Sequence, residues 1–384
     1  MNKPIKIAYI VDTIETQSAG TEKQLLMLLD KIDKKKFSPC LICLRNSEWL
    51  KTNSIPVEHY ILGVNSLISL NALRGLMKFR KIIDKEKISI VQTFFTDANI
   101  FGTIAARLSG VKIVISSRRN FGGYWHTPFF TAILKLMRFL TTVYISNSEL
   151  IAKFTISSEK IEADRIFTIY NGLEFEKFER ITPTLRNETR NALAISDSDI
   201  LVGLMANWRP VKNIPLFLKV ASKFRSEFPN VKFVMIGKPP AEYELSNVLK
   251  EFDIDLNIRF LGVISDIIPI LSAMDIGVLC SSSESLSNSI TEYLAAGLPC
   301  VVSQAGGNEE AIGYGRGGVV FQNNSAEDFY IKLKDLISNP SQMGVYARQA
   351  KEYAHQKYDL NEMIRSHEKL YFDLITNTSS SRFK

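Results

Sequence analysis

Two carboxylates with seven residues between them, Glu284 and Glu292, occupy the most informative stretch of this 384-residue chain. Residues 276–280 form a short apolar run, as expected of a strand buried on both faces. Residues 281–287 are a loop of small residues, and Asn288 or Ser289 is expected to cap a helix that stops at Gly297. Pro299 then opens a strand over 300–303. Loops at the carboxyl ends of parallel strands are where open α/β sheets bind ligands. The N–H groups of residues 287–290, at the start of the helix, suit an anion or a sugar hydroxyl. A carboxylate beside the diol of a sugar or ribose can accept two hydrogen bonds, so polyol binding explains both glutamates. Solvated surface charge is the alternative. It is weakened because no Lys or Arg occurs between Arg259 and Arg316, which leaves both carboxylates without a basic neighbour in sequence.

From Glu284 to Glu310 the chain reads ESLSNSITEYLAAGLPCVVSQAGGNEE, and this closely resembles the signature of family 4 of the retaining GT-B glycosyltransferases. The signature is Glu, seven residues, Glu, an Ala-Ala-Gly-Leu-Pro run and Gly-Gly-Asn-x-Glu. The resemblance implies that Glu284 contacts a donor sugar and Glu292 a nucleotide ribose, with Ser285, Leu286, Ser287 and Asn288 lining the donor. The loop after the strand 200–205 reads Ala-Asn-Trp-Arg-Pro-Val-Lys-Asn and is similar to the family element Gly-Arg-Leu-x-x-x-Lys-Gly. Lys212 matches its Lys, whereas Asn207 stands at the Arg position and Arg209 follows two residues later. In the family these cations hold the donor diphosphate. Paired basic side chains can stabilise the charge that develops on such a leaving group without a metal.

The first half is less specific. Strands over 6–11, 40–44, 57–62, 88–94, 111–117, 142–145 and 166–169 alternate with helices, notably over 70–85 and 98–109, which argues a parallel sheet covered on both faces. Only Gly20 is present where a dinucleotide fold would place Gly-x-Gly-x-x-Gly, which counts against NAD and FAD. Gly20-Thr21-Glu22 instead resembles the end of the family's Gly-rich turn, with Ala19 where a second Gly is common, so Gly20 is a donor-contact candidate. A plain helix-start turn explains it equally well. Where family members often carry His at two strand ends, this chain reads Gln92-Thr93-Phe94 and Ser116-Ser117-Arg118-Arg119-Asn120, so Arg118 or Arg119 is expected to supply the acceptor or sugar contact. His59, His126, His355 and His367 show no metal spacing. Asp197-Ser-Asp199 and Asp253-Ile-Asp255 precede strands and read as turns rather than metal-binding triplets. Cys40 and Cys43 read as two buried strand thiols. No cofactor and no metal are expected beyond a nucleotide-sugar co-substrate.

Composition sets broad limits. At 46% hydrophobic and 23% charged the chain is globular, and its length suits two domains. The N-terminal stretch has too short an apolar run for a signal peptide, and residues 129–145 are interrupted by Lys135 and Arg138, so a cytoplasmic protein is expected. Net charge is +7, with Arg74, Lys78, Arg80, Lys81, Lys85 and Lys87 clustered in the first half. No nucleic-acid motif accompanies them. An anionic membrane surface is the better partner, with the amphipathic segment 129–140 beside the basic cluster.

The expected architecture is α/β of the GT-B type, with two Rossmann-like domains facing across a cleft. Residues 1–175 form the acceptor side, 182–196 a polar connector with a helical stretch around 185–194, and 198–356 the nucleotide-sugar domain, and 357–384 hold a helix crossing back to the first domain. The expected activity is transfer of a sugar, with retention, from a nucleotide sugar to a hydroxyl of a glycan or lipid-linked acceptor in cell-surface polysaccharide synthesis. Two other readings are a nucleotide-sugar epimerase of the same fold and a catalytically silent sugar-nucleotide-binding protein.

Overall fold

The structure is a computed structural model that describes residues 3–17, 20–121, 127–240 and 258–379. The expected helix over 242–252, the Asp253-Ile-Asp255 triplet, Ala19 and His126 lie outside those residues. The chain forms two compact units, one running through Gly172 and resuming at Asn361, the other spanning Leu173–Leu360.

The first unit is a seven-stranded sheet in the order β3-β2-β1-β4-β5-β6-β7. Its strands are β1 Ile5–Val11, β2 Phe37–Cys43, β3 Glu58–Ile61, β4 Ile90–Thr93, β5 Ile113–Arg118, β6 Val143–Ser146 and β7 Ile166–Thr168, all paired in parallel. The unbroken apolar run of β1 follows from burial on both faces, for Ile7 to Val11 have no exposed surface. Helices α1 Gly20–Lys31, α2 Glu48–Thr52, α3 Leu70–Glu86, α4 Thr96–Leu108, α5 Pro128–Met137 and α6 Glu149–Glu159 connect the strands. Cys40 and Cys43 are free and buried.

The helix Leu360–Ser379 belongs mainly to this unit. Tyr371 donates to Gln92 Oε1 at 2.6 Å, and Tyr9 donates to the Tyr371 oxygen at 3.0 Å. Phe37 packs edge-on against both Tyr371 and Phe372. These contacts explain why a helix so distant in sequence is held on β1 and β2.

The second unit is a six-stranded parallel sheet in the order β10-β9-β8-β11-β12-β13. Its strands are β8 Ile200–Met205, β9 Val231–Ile236, β10 Ile258–Gly262, β11 Ile276–Leu279, β12 Cys300–Ser303 and β13 Gly318–Phe321. This is the doubly wound order of a dinucleotide-type fold, with the strand order reversing between β8 and β11. Helices α7 Pro183–Ala192 and α8 Ile214–Glu227 precede and follow β8.

The polar stretch 182–196 is helical over Pro183–Ala192, as expected around 185–194, and is more than a connector. It carries α7, whose arginines are built into the second unit. Arg186 donates to the carbonyls of Ser272 and Met274 at 2.9 Å each and to Asp275 at 2.6 Å. Arg190, almost fully buried, donates to the carbonyl of Ala273 at 2.8 Å and to Asp275. Two guanidinium groups thus satisfy carbonyls at the end of the helix Ile268–Ala273, where the backbone dipole favours positive charge.

Candidate active site

The reversal of strand order in the second unit puts the loops after β8 and β11 side by side. The first carries Asn207, Arg209 and Lys212, and the second carries Glu284 to Ser287. A gap between adjacent loops at a switch point is where such sheets take ligands. The two loops are tied together by backbone, since Ser282 N–H donates to the Val211 carbonyl at 2.8 Å.

Lys212 closes a short turn, Pro210–Lys212, and its ammonium donates to Glu284 Oε1. The same carboxylate oxygen accepts from the Ser281 hydroxyl at 2.8 Å. Both partners are mostly buried. The pair gives Glu284 a basic partner that its sequence neighbours do not supply, from 72 residues earlier through the fold. The polar chain extends inward from there. Ser303 donates to the Ser281 carbonyl at 2.6 Å, and Asn308 Nδ2 donates to the Ser303 carbonyl at 3.1 Å. A buried network of this kind fixes the loop that carries Glu284.

Close backbone approach fixes it further. Gly307 N–H donates to the Glu284 carbonyl at 2.8 Å, and a Cβ at Gly307 would lie 1.9 Å from the Ser285 carbonyl oxygen. Only glycine permits that contact. Gly237, with φ of +139°, brings the end of β9 equally close to the Ala206 carbonyl below the Lys212 loop.

Glu292 lies on the helix Asn288–Ala295 and is buried. Ser287, not Asn288 or Ser289, occupies the cap position of that helix, and its side chain makes no capping bond. The hydroxyls of Tyr293 and Ser289 hold the helix in place. Met205 N–H donates to the Tyr293 oxygen at 2.6 Å, and Ser289 donates to the Met205 carbonyl at 2.7 Å. Gly277 on β11 makes room for the Tyr293 ring, since a Cβ there would meet the ring at 2.4 Å. The contacts of Tyr293, Ser289, Gly277 and Gly307 escaped the sequence reading because an apolar strand, a helix and a Gly-Gly pair gave no sign of which residues touch.

The remaining candidates divide. Asn207 turns its amide oxygen back to accept Lys238 N–H at 2.8 Å, so it braces the loop. Arg209 is exposed, and Leu286 and Ser287 are buried at the turn into the helix. In the first unit Gly20 is exposed at the start of α1. Arg118 is buried. Its Nε and Nη2 donate to the two Glu159 oxygens at 2.8 and 2.9 Å, and its Nη1 donates to Ser116 at 2.6 Å. That pair holds β5 to α6. Arg119 donates to Asn171, while its buried Nε makes no hydrogen bond. Burial pushes the Arg119 pKa down to about 10, which still leaves a cation at neutral pH. Both arginines line a cavity at the carboxyl ends of β4 and β5, with Thr96, Asn99 and Phe95. Phe95 there has φ of 68° and ψ of 165°, a conformation nearly confined to glycine.

Residues 186–357 match the family model described as glycosyl transferases group 1, and residues 18–177 match that of glycosyltransferase family 4. The chain belongs to glycosyltransferase family 4. It is a glycosyltransferase of GT-B fold, and the epimerase and silent-binder readings are set aside. Among curated relatives of this family-4 enzyme is the UDP-Gal:alpha-D-GlcNAc-diphosphoundecaprenol alpha-1,3-galactosyltransferase of Escherichia coli, 24% identical over 97% of this chain and 98% of that protein. Another is the N,N'-diacetylbacillosaminyl-diphospho-undecaprenol alpha-1,3-N-acetylgalactosaminyltransferase of Campylobacter jejuni, 25% identical over 85% of this chain and 88% of that protein. Among solved structures, Anabaena HepE in complex with UDP shares the fold, with a TM-score of 0.81 at 17% identity over 96% of this chain and all of that one.

Proposed function

We propose that this glycosyltransferase moves a hexosyl group from a UDP-linked sugar to a hydroxyl of a sugar carried on a lipid diphosphate, with retention of anomeric configuration. One observation carries the proposal: the Lys212–Glu284 pair at the strand-order reversal, with seven residues between Glu284 and Glu292 on a braced helix. The names of the Escherichia coli and Campylobacter jejuni relatives support a lipid-diphosphate acceptor. The HepE complex and the first of those names support UDP.

In the resting site Lys212 and Glu284 neutralise each other, which limits the cost of keeping two mostly buried charges. A donor diphosphate would take Lys212 as its cation, with Arg209 free to swing in from the surface. Glu284 would turn from Lys212 to a donor hydroxyl, and Glu292 would accept from the ribose diol. The glycosidic bond to the diphosphate breaks, and the acceptor oxygen bonds to the anomeric carbon on the same face. The departing diphosphate oxygen takes the acceptor proton, and UDP leaves. The positive charge of Lys212 is worth most when the leaving oxygen carries its full charge, so it acts on the transition state rather than on binding alone. No metal or cofactor enters this scheme.

Purified protein incubated with UDP-sugars and a lipid-diphosphate-linked sugar tests it. The expected product is an α-linked disaccharide on the lipid, formed equally well in EDTA. Hydrolysis or epimerisation of the donor with no transfer would overturn the function, and metal-reversible loss of turnover in EDTA would overturn the metal-free scheme.

A further inference from the structure

Helix α3 has two apolar sides. Gly75, Phe79, Ile82 and Ile83 face the core and are buried. With 3.6 residues per turn, Leu70, Leu73 and Met77 fall on the opposite side. They are 75%, 57% and 55% exposed, and Ile68 just before the helix is 94% exposed. A helix on a sheet needs only one apolar face, so the outer stripe serves no packing purpose within the unit.

The same layer continues the pattern. α3 packs on α4 and α4 on α5. Right-handed crossovers place the helices linking β3 to β4, β4 to β5 and β5 to β6 on one side of the sheet. On the outside of that layer Leu108 of α4 and Phe129 and Leu136 of α5 are each more than half exposed. Isolated exposed leucines are ordinary, but a run across three adjacent helices is not.

Charge decides what covers it. Arg74 and Lys81 flank the Leu70–Met77 stripe on the outer side of α3, and among the described residues neither is ion-paired. We infer that the outer face of α3, continued by α4 and α5, docks on an anionic lipid bilayer, with Leu70, Leu73 and Met77 in the acyl boundary and Arg74 and Lys81 at the headgroups. A second copy of the chain fits poorly, because a two-fold contact would set these cations against their own counterparts. Nucleic acid would answer the cations and leave the leucines and methionine in water. This inference rests on the lipid-linked acceptor, since an enzyme that meets its acceptor at a bilayer gains from docking there.

Sedimentation with vesicles of phosphatidylglycerol and phosphatidylcholine, against phosphatidylcholine alone, tests it. Wild-type protein should pellet with the anionic vesicles at low salt and less so at high salt. The triple variant Leu70→Gln, Leu73→Gln, Met77→Gln keeps helix propensity and should partition at least about tenfold more weakly. Arg74→Gln with Lys81→Gln should weaken it by about fivefold for each charge. Transfer to a short-chain, water-soluble acceptor should be unchanged in all variants. Unaltered vesicle binding by the triple variant would overturn the inference, and so would a concentration-dependent dimer that the triple variant abolishes. If the protein docks but never glycosylates a lipid-linked acceptor, the acceptor reading fails and the docking face stands.

Discussion

Gly307→Ala should damage the active site through one methyl group. The backbone at Gly307 has φ of −82°, which alanine adopts without strain, so the whole effect is spatial. The new Cβ would start 1.9 Å from the Ser285 carbonyl oxygen, and that gap must open past 3.0 Å. The required shift of about 1.1 Å falls on the Ser285–Leu286 peptide, next to the Glu284 carbonyl that accepts from Gly307 N–H at 2.8 Å. Misplacing a substrate-positioning group by about 1 Å can lower turnover about 100-fold. Overpacking should cost about 1–3 kcal/mol, or about 3–9 °C in the melting of a unit of this size. The control is Gly344→Ala in the helix Pro340–Lys357, where a Cβ meets nothing within 4 Å. It should stabilise by about 0.5–1 kcal/mol and leave turnover unchanged. Steady-state kinetics and thermal melts of both variants make the comparison. Wild-type kcat/KM in Gly307→Ala would refute the idea that the position of the Glu284 loop matters.

Glu292→Gln should weaken binding of free UDP, whereas Glu284→Gln should spare it and raise KM for the sugar nucleotide. Calorimetry giving equal UDP affinity in both variants and wild type would remove that division of labour. His367, buried in the helix Leu360–Ser379, has its pKa pushed down to about 4 by burial. Because that value lies below the unfolded value of about 6.5, its contribution is fully present above pH 6.5 and is lost as pH falls towards 4. The loss should total about 3 kcal/mol. Asp12, raised to about 6 by burial, works in the opposite sense, so the effect is read as wild type minus His367→Gln in denaturant titrations across pH 4–7. Parallel pH profiles of the two proteins would show that His367 is not the source.

Strands and helices were legible because apolar runs bounded by turns leave few alternatives in a parallel sheet. The motif from Glu284 to Glu310 was legible because it is contiguous. What joins distant segments was not. Lys212 and Glu284 meet only because β8 and β11 become neighbours when the strand order reverses, and no local pattern records that. The ion pair of Arg118 left no mark in the sequence, because its partner Glu159 lies at the far end of α6. The arginines of α7 made that segment look like a linker, since buried guanidinium groups that answer carbonyls read in sequence as solvated charge. The basic cluster in α3 was visible, but not that leucine and methionine share its outer side, because helical spacing alone does not say which apolar stripe faces the core.

The central claim is that Lys212 stabilises the charge on the departing diphosphate. Its most direct test is kcat/KM for Lys212→Ala with an established donor and acceptor, measured beside the thermal stability of the same protein. Loss of charge stabilisation at the leaving group should lower kcat/KM about 10²–10³-fold. Stability should fall by only about 1–2 kcal/mol, as Glu284 keeps its hydrogen bond from Ser281. A kcat/KM within twofold of wild type, in a variant that melts normally, would contradict the account and move the chemistry away from the strand-order reversal.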